Sequence, residues 1–202
     1  MDKYRLSFTT GGLYYRESIK LVELYLALRD WSEIRTRTFA ENLLQLNTHS
    51  SQVRTYREVS SRLQQLSDIE LELFMDCSEQ DKCYLLWLAI CRYYVFIEQF
   101  SVEVLREKFL SMDMNISHHD YDVFYNRKSE WHDELEALSQ STQNKLRQIL
   151  FRMLVEAGLL SKKNTIIPAI ITPRVAREIF KPSNSQAVIY PISDADLGGL
   201  LT

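Results

Sequence analysis

The sequence predicts a mainly α, compact helical protein with winged helix-turn-helix-like modules and one short β-hairpin wing near 159–171. Apolar residues recur at spacings of three and four along almost all of the 202 residues, as in amphipathic helices. Five glycines and four prolines are few for this length, which disfavours a β-sandwich, a glycine-rich phosphate loop and long linkers. The run at 165–171 is rich in β-branched residues and is the expected second strand of the wing.

These patterns divide the chain into four parts. They are an N-terminal helix-turn-helix-like module at 1–75, a central helical core at 76–130, a C-terminal winged-helix-like module at 131–181 and an irregular tail at 182–202. Before the last module, helices are predicted over 13–29, 33–46, 52–66, 79–99, 102–111 and 118–129. Ser32, Ser78 and Ser117 are the expected caps of the second, fourth and sixth of these helices, because a hydroxyl can accept a free backbone N–H at a helix start.

The second and third helices, joined by a short polar turn at 48–51, resemble a helix-turn-helix. Arg54 and Arg57 lie on the polar face of the third helix, in the N-terminal half that a recognition helix offers to the major groove. Arg35, in the second helix, is a further candidate contact. An ordinary surface helix can also carry two arginines, so a purely structural role stays open.

The segment 139–172 is more informative. A helix capped by Ser139 or Ser141 buries a single apolar stripe and stops at Gly158, which accepts a left-handed backbone without strain. The long donors on its opposite face, and the cations that follow it, are candidate nucleic-acid contacts: Lys145, Arg147, Gln148, Arg152, Lys162, Lys163 and Arg174. Lys162 and Lys163 fall at the tip of the expected hairpin. The alternative is a helix and hairpin that only complete a core.

Charge is unevenly distributed. The chain as a whole carries a formal charge of −3, which by itself argues against nucleic acid. Residues 143–181 hold eight Lys/Arg and two Asp/Glu, whereas residues 68–138 hold six and sixteen. Local patches matter more than the sum, because the Debye length is about 8 Å at physiological salt. The basic end is therefore expected to meet an anion, and the acidic middle to avoid it or to meet a basic partner.

The apolar run 83–97 is too short for a membrane span and contains Arg92, so it is expected to be a central helix buried on nearly all sides. The N-terminus has no apolar core of the signal-peptide kind. Cys77, Cys83 and Cys91 form no CxxC and are expected to be buried thiols in a reducing compartment. A cytoplasmic protein follows from these expectations.

No pattern predicts a catalytic residue, a metal site or a cofactor. His118 and His119 are adjacent, so on a helix they point about 100° apart, and neither they nor His132 have recognisable metal-ligand spacing. Gly11 and Gly12 lack the spacing of a phosphate loop. The acidic cluster between 130 and 136 is expected to be a surface patch. Three tryptophans are expected to be core anchors: Trp31, Trp87 and Trp131.

Four ordered blocks resemble one family. They are SFTTGGLYYRES (7–18), ENLLQLNTHSSQVRTYREVSSRL (41–63), LLWLAICRYYVFIEQFSVEVLREKFL (85–110) and WHDELEALSQSTQNKLRQILFRMLVEAGLL (131–160). They are similar to BrxA, the small protein encoded at the start of bacterial BREX phage-defence loci. The resemblance implies a compact helical fold, DNA binding and no known catalytic activity, in a system that blocks phage and methylates host DNA. The family has also been likened to an RNA antitermination factor.

Three functions remain open at this point. The first is binding of double-stranded DNA, mostly through phosphates. The second is a protein–protein adaptor that contacts other BREX components through the acidic middle or the tail. The third is binding of RNA. A hidden enzyme is disfavoured because no catalytic motif is present.

Overall fold

The computed structural model describes residues 3–180 and 186–201, and over that span the protein is mainly helical, as predicted. The α-helices are α1 Tyr15–Leu28, α2 Trp31–Ala40, α3 His49–Leu63, α4 Asp68–Asp76, α5 Glu79–Tyr93, α6 Val95–Phe100, α7 Glu107–Leu110, α8 His118–Ser129, α9 Asp133–Glu136, α10 Gln140–Glu156, α11 Pro173–Ile179 and α12 Asp194–Leu201. A π-helical segment, Ser101–Arg106, joins α6 to α7, and a 3₁₀ turn, Gln186–Ile189, precedes α12.

Helix α5 forms the centre of the molecule. All its residues from Tyr84 to Cys91 are buried, which confirms the prediction of a helix enclosed on nearly all sides. Its N-terminus is capped as expected, because Ser78 Oγ accepts the Asp81 N–H at 3.1 Å. Helices α1, α3, α4 and α6 pack around it. Burial of this apolar surface is the main favourable term in folding.

The predicted boundary between the helices 79–99 and 102–111 is wrong. The break falls at Tyr94, and from Val95 the chain runs without interruption to Leu110 through the π-helical segment. Tyr94 has an extended backbone, its ring is fully buried, and its hydroxyl donates to the Glu58 carboxylate. Packing of this tyrosine therefore ends the helix within a stretch where the apolar pattern alone continues.

Within residues 3–180 and 186–201, no single helix is long and apolar enough to cross a bilayer. The pair formed by Glu79–Tyr93 and Val95–Leu110 reaches the required length and composition only when both arms are taken together, and the arms are bent by 115°.

The second helix also differs from the prediction. Its cap is Asp30, whose carboxylate accepts the Ser32 N–H at 2.7 Å, rather than Ser32 itself. It ends at Ala40 instead of 46, because Asn42 and Gln45 adopt left-handed backbone conformations that a helix cannot continue through. The connection to α3 is consequently eight residues long, which exceeds the three or four residues typical of a helix-turn-helix.

The expected β-hairpin wing is replaced by a tight turn. Among the described residues no strand forms, and two isolated antiparallel bridges remain, Leu160 with Ile166 and Asn115 with Thr165. Ile166 donates its N–H to the Met114 carbonyl at 2.7 Å. Pro168 has no N–H to donate. Thr165 and Ile166 therefore each form one isolated bridge, to Asn115 and Leu160 respectively, and the segment does not form a two-stranded hairpin.

The end of the chain is ordered against the core over the part that the structure describes, where an irregular tail was expected. The predicted tail residues 182–185 and 202 lie outside the described residues. Trp87 donates its indole N–H to the Ile189 carbonyl at 3.3 Å, and Tyr190 donates to the Tyr84 carbonyl at 2.8 Å. Arg106 pairs with Asp194 at 2.7 Å. These contacts are long-range, so no local sequence pattern could indicate them.

Candidate nucleic-acid interface

Helix α10 has the two faces that the sequence predicts. The Ser139 hydroxyl caps it by accepting the Thr142 N–H at 3.4 Å. Its apolar stripe is buried, namely Leu146, Ile149, Leu150, Met153 and Leu154. Lys145, Gln148 and Arg152 are exposed on the other face, and Lys145 donates to the Gln148 amide oxygen at 3.0 Å. The helix ends at Glu156, and Gly158, two residues later, has the expected positive φ of 73°.

A groove runs beside this face, between the start of α8 and the middle of α10. Its volume is about 610 Å³, and it is lined by His118, Ser141, Asn144, Lys145, Arg147, Gln148 and Phe151. The exposed His118 ring meets the Phe151 ring edge-on at 5.0 Å. His118 was not among the predicted contacts. Its position depends on a packing contact with α10, which its neighbours in sequence do not reveal.

The turn that carries Lys162 and Lys163 lies close to the same groove. Ile116 donates its N–H to the Asn164 carbonyl at 2.9 Å, two residues before His118. Lys162 and Lys163 are exposed, and neither side chain has a hydrogen bond or ion pair within residues 3–180 and 186–201. Two lysine ammonium groups are thus free for an anion beside the α10 groove.

Arg147 is not free. Its guanidinium donates from Nη1 to both carboxylate oxygens of Asp122, at 2.6 and 2.7 Å, and from Nη2 to Asn144 at 3.2 Å. The Arg147 side chain is 22% exposed and that of Asp122 is 48% exposed. A phosphate would have to compete with this carboxylate for the arginine.

Arg152 and Arg174 are also paired with carboxylates of the protein. Arg152 Nε lies 2.7 Å from Glu156 Oε1, and this hydrogen bond raises the pKa of the guanidinium. Glu156 in turn accepts the Leu13 N–H at 2.6 Å. Arg174 pairs with Asp76 at 3.3 Å, where both side chains are about two-thirds exposed, so that ion pair is weak.

The early candidates lie on α2 and α3. Arg54 and Arg57 are exposed, and their guanidinium groups have no partner in the described part of the chain. Arg35 is exposed, with its guanidinium carbon 5.9 Å from the centre of the Phe39 ring. A hydrogen bond of 2.9 Å from the Tyr56 hydroxyl to the Trp31 carbonyl fixes α3 against the start of α2.

The two cationic regions are linked through the N-terminal segment. The buried Arg62, on α3, donates to the Gly12 carbonyl at 2.7 Å, and the next residue, Leu13, donates to Glu156 on α10. A Cβ at Gly12 would lie 2.2 Å from the Glu156 carboxylate, so an alanine there would have to displace this carboxylate. Gly12 and Leu13 therefore connect the end of α3 to the end of α10. That both cationic regions face one concave side stays a prediction.

The cysteine thiols and the potential metal ligands are the groups to consider for catalytic or metal chemistry. Burial raises the pKa of the Cys77 and Cys83 thiols to about 11, and burial also raises that of Cys91, so all three are protonated at neutral pH. The thiol is a poor nucleophile compared with the thiolate. Among residues 3–180 and 186–201, no group of three or more His, Cys, Asp or Glu side chains is placed to hold a metal ion.

One predicted core anchor is wrong. Trp87 is fully buried, but the Trp131 side chain is 73% exposed. Residues on either side of it, Glu130 and Asp133, are exposed carboxylates without a partner in the described part of the chain, as is Glu136. Trp131 lies in the short connection between α8 and α9, outside both helices.

The fold and the groove define a mainly helical protein with an exposed cationic helix face. The chain belongs to the BrxA family, whose sequence model matches residues 2–181. It is 28% identical to the BREX protein BrxA of Bacillus cereus (strain H3081.97) over 132 residues, which are 65% of this chain and 66% of that protein. It is 24% identical to the BREX protein BrxA of Escherichia coli O9:H4 (strain HS) over 99% of this chain and 91% of that one. Family membership supports a role in BREX phage defence.

A solved structure has the same fold. It is that of an uncharacterized protein from Magnetospirillum magneticum, with a TM-score of 0.81 and 20% identity, and the match covers 94% of this chain and 98% of that chain. At this identity the likeness concerns the fold alone.

Proposed function

We propose that this protein is a non-enzymatic component of a BREX system that binds duplex DNA, mostly through phosphates. The observation that carries the proposal is the groove on α10, with Lys145 and Gln148 in its lining and the free lysines Lys162 and Lys163 next to it. In the proposed complex, α10 acts as the recognition helix of a reduced winged helix, with the turn at 161–164 in the place of the wing.

The ion pairs reduce the number of cations that are expected to contact phosphate. Nine of the ten predicted contact residues are cations, and three of these, Arg147, Arg152 and Arg174, are paired with carboxylates. Six cations without a carboxylate partner in the described residues remain as the main phosphate contacts: Arg35, Arg54, Arg57, Lys145, Lys162 and Lys163. If all six meet phosphates, log affinity should fall with log salt concentration with a slope of about −5.

The test is fluorescence anisotropy with a labelled duplex of mixed sequence, repeated from low to physiological salt. The double variant Lys162→Glu/Lys163→Glu should weaken binding to all sequences alike, because phosphate contacts do not read sequence. The matched control is Lys3→Glu/Arg5→Glu, which makes the same charge change at exposed positions near Tyr93 and the acidic α9. An affinity that stays flat with salt would rule out the proposal.

Competition separates DNA from RNA. Duplex RNA has a deep, narrow major groove and 2′-hydroxyls, so a helix that enters the DNA major groove should prefer the DNA duplex. Unlabelled duplex DNA should displace the labelled duplex at lower concentration than duplex RNA or either single strand. The reverse order would favour the RNA function.

A second candidate function, a protein–protein adaptor, is favoured by the exposed Trp131 with carboxylates around it. Tryptophan is enriched among residues that dominate binding energy at protein interfaces. The surrounding carboxylates favour a basic surface on another BREX component. If this function is right, the protein should capture a BREX component after nuclease treatment, and Trp131→Ala should abolish the capture. Loss of capture on nuclease treatment would argue for a bridge of DNA.

A further inference from the structure

A small polar pocket lies between α8 and α10, next to the cationic groove. Its volume is about 240 Å³, and its lining includes Tyr121, Asn126, Gln143 and Asn144. The Tyr121 side chain is 1% exposed, and its hydroxyl has no hydrogen-bond partner. An unpaired buried hydroxyl costs free energy, so a partner that enters the pocket and bonds to it would be favoured. The neighbouring Tyr125 is different, because its hydroxyl donates to the Leu135 carbonyl at 2.6 Å.

The pocket offers both donors and acceptors. Gln143 uses its amide N–H to bond the Leu138 carbonyl at 3.0 Å, which leaves its amide oxygen as an acceptor. Asn144 uses its amide oxygen to accept from Arg147 at 3.2 Å, which leaves its amino group as a donor. Asn126 has no side-chain partner in the described part of the chain. With the Tyr121 hydroxyl, these groups can meet a planar ligand that has donors and acceptors along one edge.

Asn144 and Arg147 line both the pocket and the groove. The groove contains Lys145, a phosphate-binding type of side chain, and the pocket contains amides, which read base edges. The groove can therefore bind the phosphate of a nucleotide while the adjoining pocket, which shares Asn144 and Arg147 with it, binds the base.

We propose that the pocket receives one unpaired nucleobase of DNA while the phosphate of the same nucleotide lies in the groove. This proposal rests on the proposed function. It adds that the protein distinguishes DNA with an extrahelical base from fully paired DNA. A base that is already unpaired costs least to place in such a pocket.

The probe is a labelled duplex with one unpaired 2-aminopurine, compared with the same duplex fully paired. The wild-type protein should bind the bulged duplex about five- to tenfold more tightly, as expected for one or two added hydrogen bonds, and should change the 2-aminopurine emission. Tyr121→Phe removes only the unpaired hydroxyl. It should reduce the preference for the bulged duplex and leave the affinity for the paired duplex unchanged.

Tyr15→Phe is the matched control, because it removes a hydroxyl outside this pocket and should alter neither affinity. Asn126→Ala is a second pocket variant and should also reduce the preference. Equal binding of both duplexes by the wild-type protein would overturn the pocket proposal and leave DNA binding in place. A lower melting temperature of Tyr121→Phe with an unchanged preference would mean that the pocket holds only water, and would also overturn it. If neither duplex binds, the proposed function falls and the pocket proposal falls with it.

Discussion

Asp122 should limit the affinity for DNA, because its carboxylate holds Arg147. The substitution Asp122→Asn keeps the size of the side chain and removes its charge. The two oxygens of Asp122 lie 2.6 and 2.7 Å from Arg147 Nη1, so removal of the charge weakens the contact that holds the arginine. Arg147 also lines the α10 groove. Its guanidinium can then turn to a phosphate.

The magnitude follows from two terms. The half-exposed Asp122 carboxylate competes with phosphate for Arg147, and this competition is worth up to about 1 kcal/mol. Repulsion between that carboxylate and a phosphate in the groove adds roughly 1 kcal/mol at short distance in water. Together they predict an affinity gain of about fivefold to thirtyfold. One more neutralised phosphate should also steepen the salt slope from about −5 to about −6.

Anisotropy titrations at four salt concentrations measure both quantities. Asp133→Asn is the control, since it makes the same change at an exposed carboxylate that has no partner in the described residues. It should raise the affinity much less and leave the slope unchanged. If the plots of log affinity against log salt concentration coincide for Asp122→Asn and Asp133→Asn, the reasoning about Arg147 is wrong. Thermal unfolding should show a loss of at most about 1 kcal/mol for Asp122→Asn.

Three further predictions concern stability. Gly12→Ala should destabilise the protein by about 1–3 kcal/mol in denaturant titrations, because the new Cβ displaces the Glu156 carboxylate from the Leu13 N–H; an unchanged midpoint would contradict the close approach. Leu88→Ala should cost about 2–5 kcal/mol, since Leu88 is fully buried in α5, and a calorimetric Tm drop below about 4 °C would contradict its place in the core. Burial acts to raise the pKa of Glu70, but hydrogen bonds from Arg92 and Ser67 outweigh it and lower that pKa below 4.5. Stability from this carboxylate is therefore present above pH 4.5 and lost as pH falls through the lowered pKa, so Glu70→Gln should flatten the stability–pH curve below about 4.5.

Much of the helical framework follows from local pattern. The span 118–129 and the caps Ser78 and Ser139 were correct, because capping and amphipathic period act within a few residues. The predictions that failed concern positions whose structure depends on contacts between residues far apart in the sequence. Tyr94 breaks the central helix because its ring is buried and its hydroxyl is held by Glu58, 36 residues away in sequence.

The candidate site divides in the same way. The exposed face of α10 was predictable from spacing, because residues three and four apart share a helix face. The pairing of Arg147 with Asp122 was not, since these residues lie 25 positions apart on different helices. The same holds for His118 beside Phe151 and for the exposed Trp131.

By itself, the sequence determined the mainly helical class, the buried central helix and the cationic face of α10, because periodicity and capping are short-range properties. Only the tertiary structure decided which of those cations are free and which are neutralised by the protein's own carboxylates. It also decided that the wing is a tight turn, that Ile189, Tyr190 and Ile192 pack into the core, and that an unpaired tyrosine hydroxyl lines a polar pocket. Those features depend on groups far apart along the chain, which meet only when the helices pack.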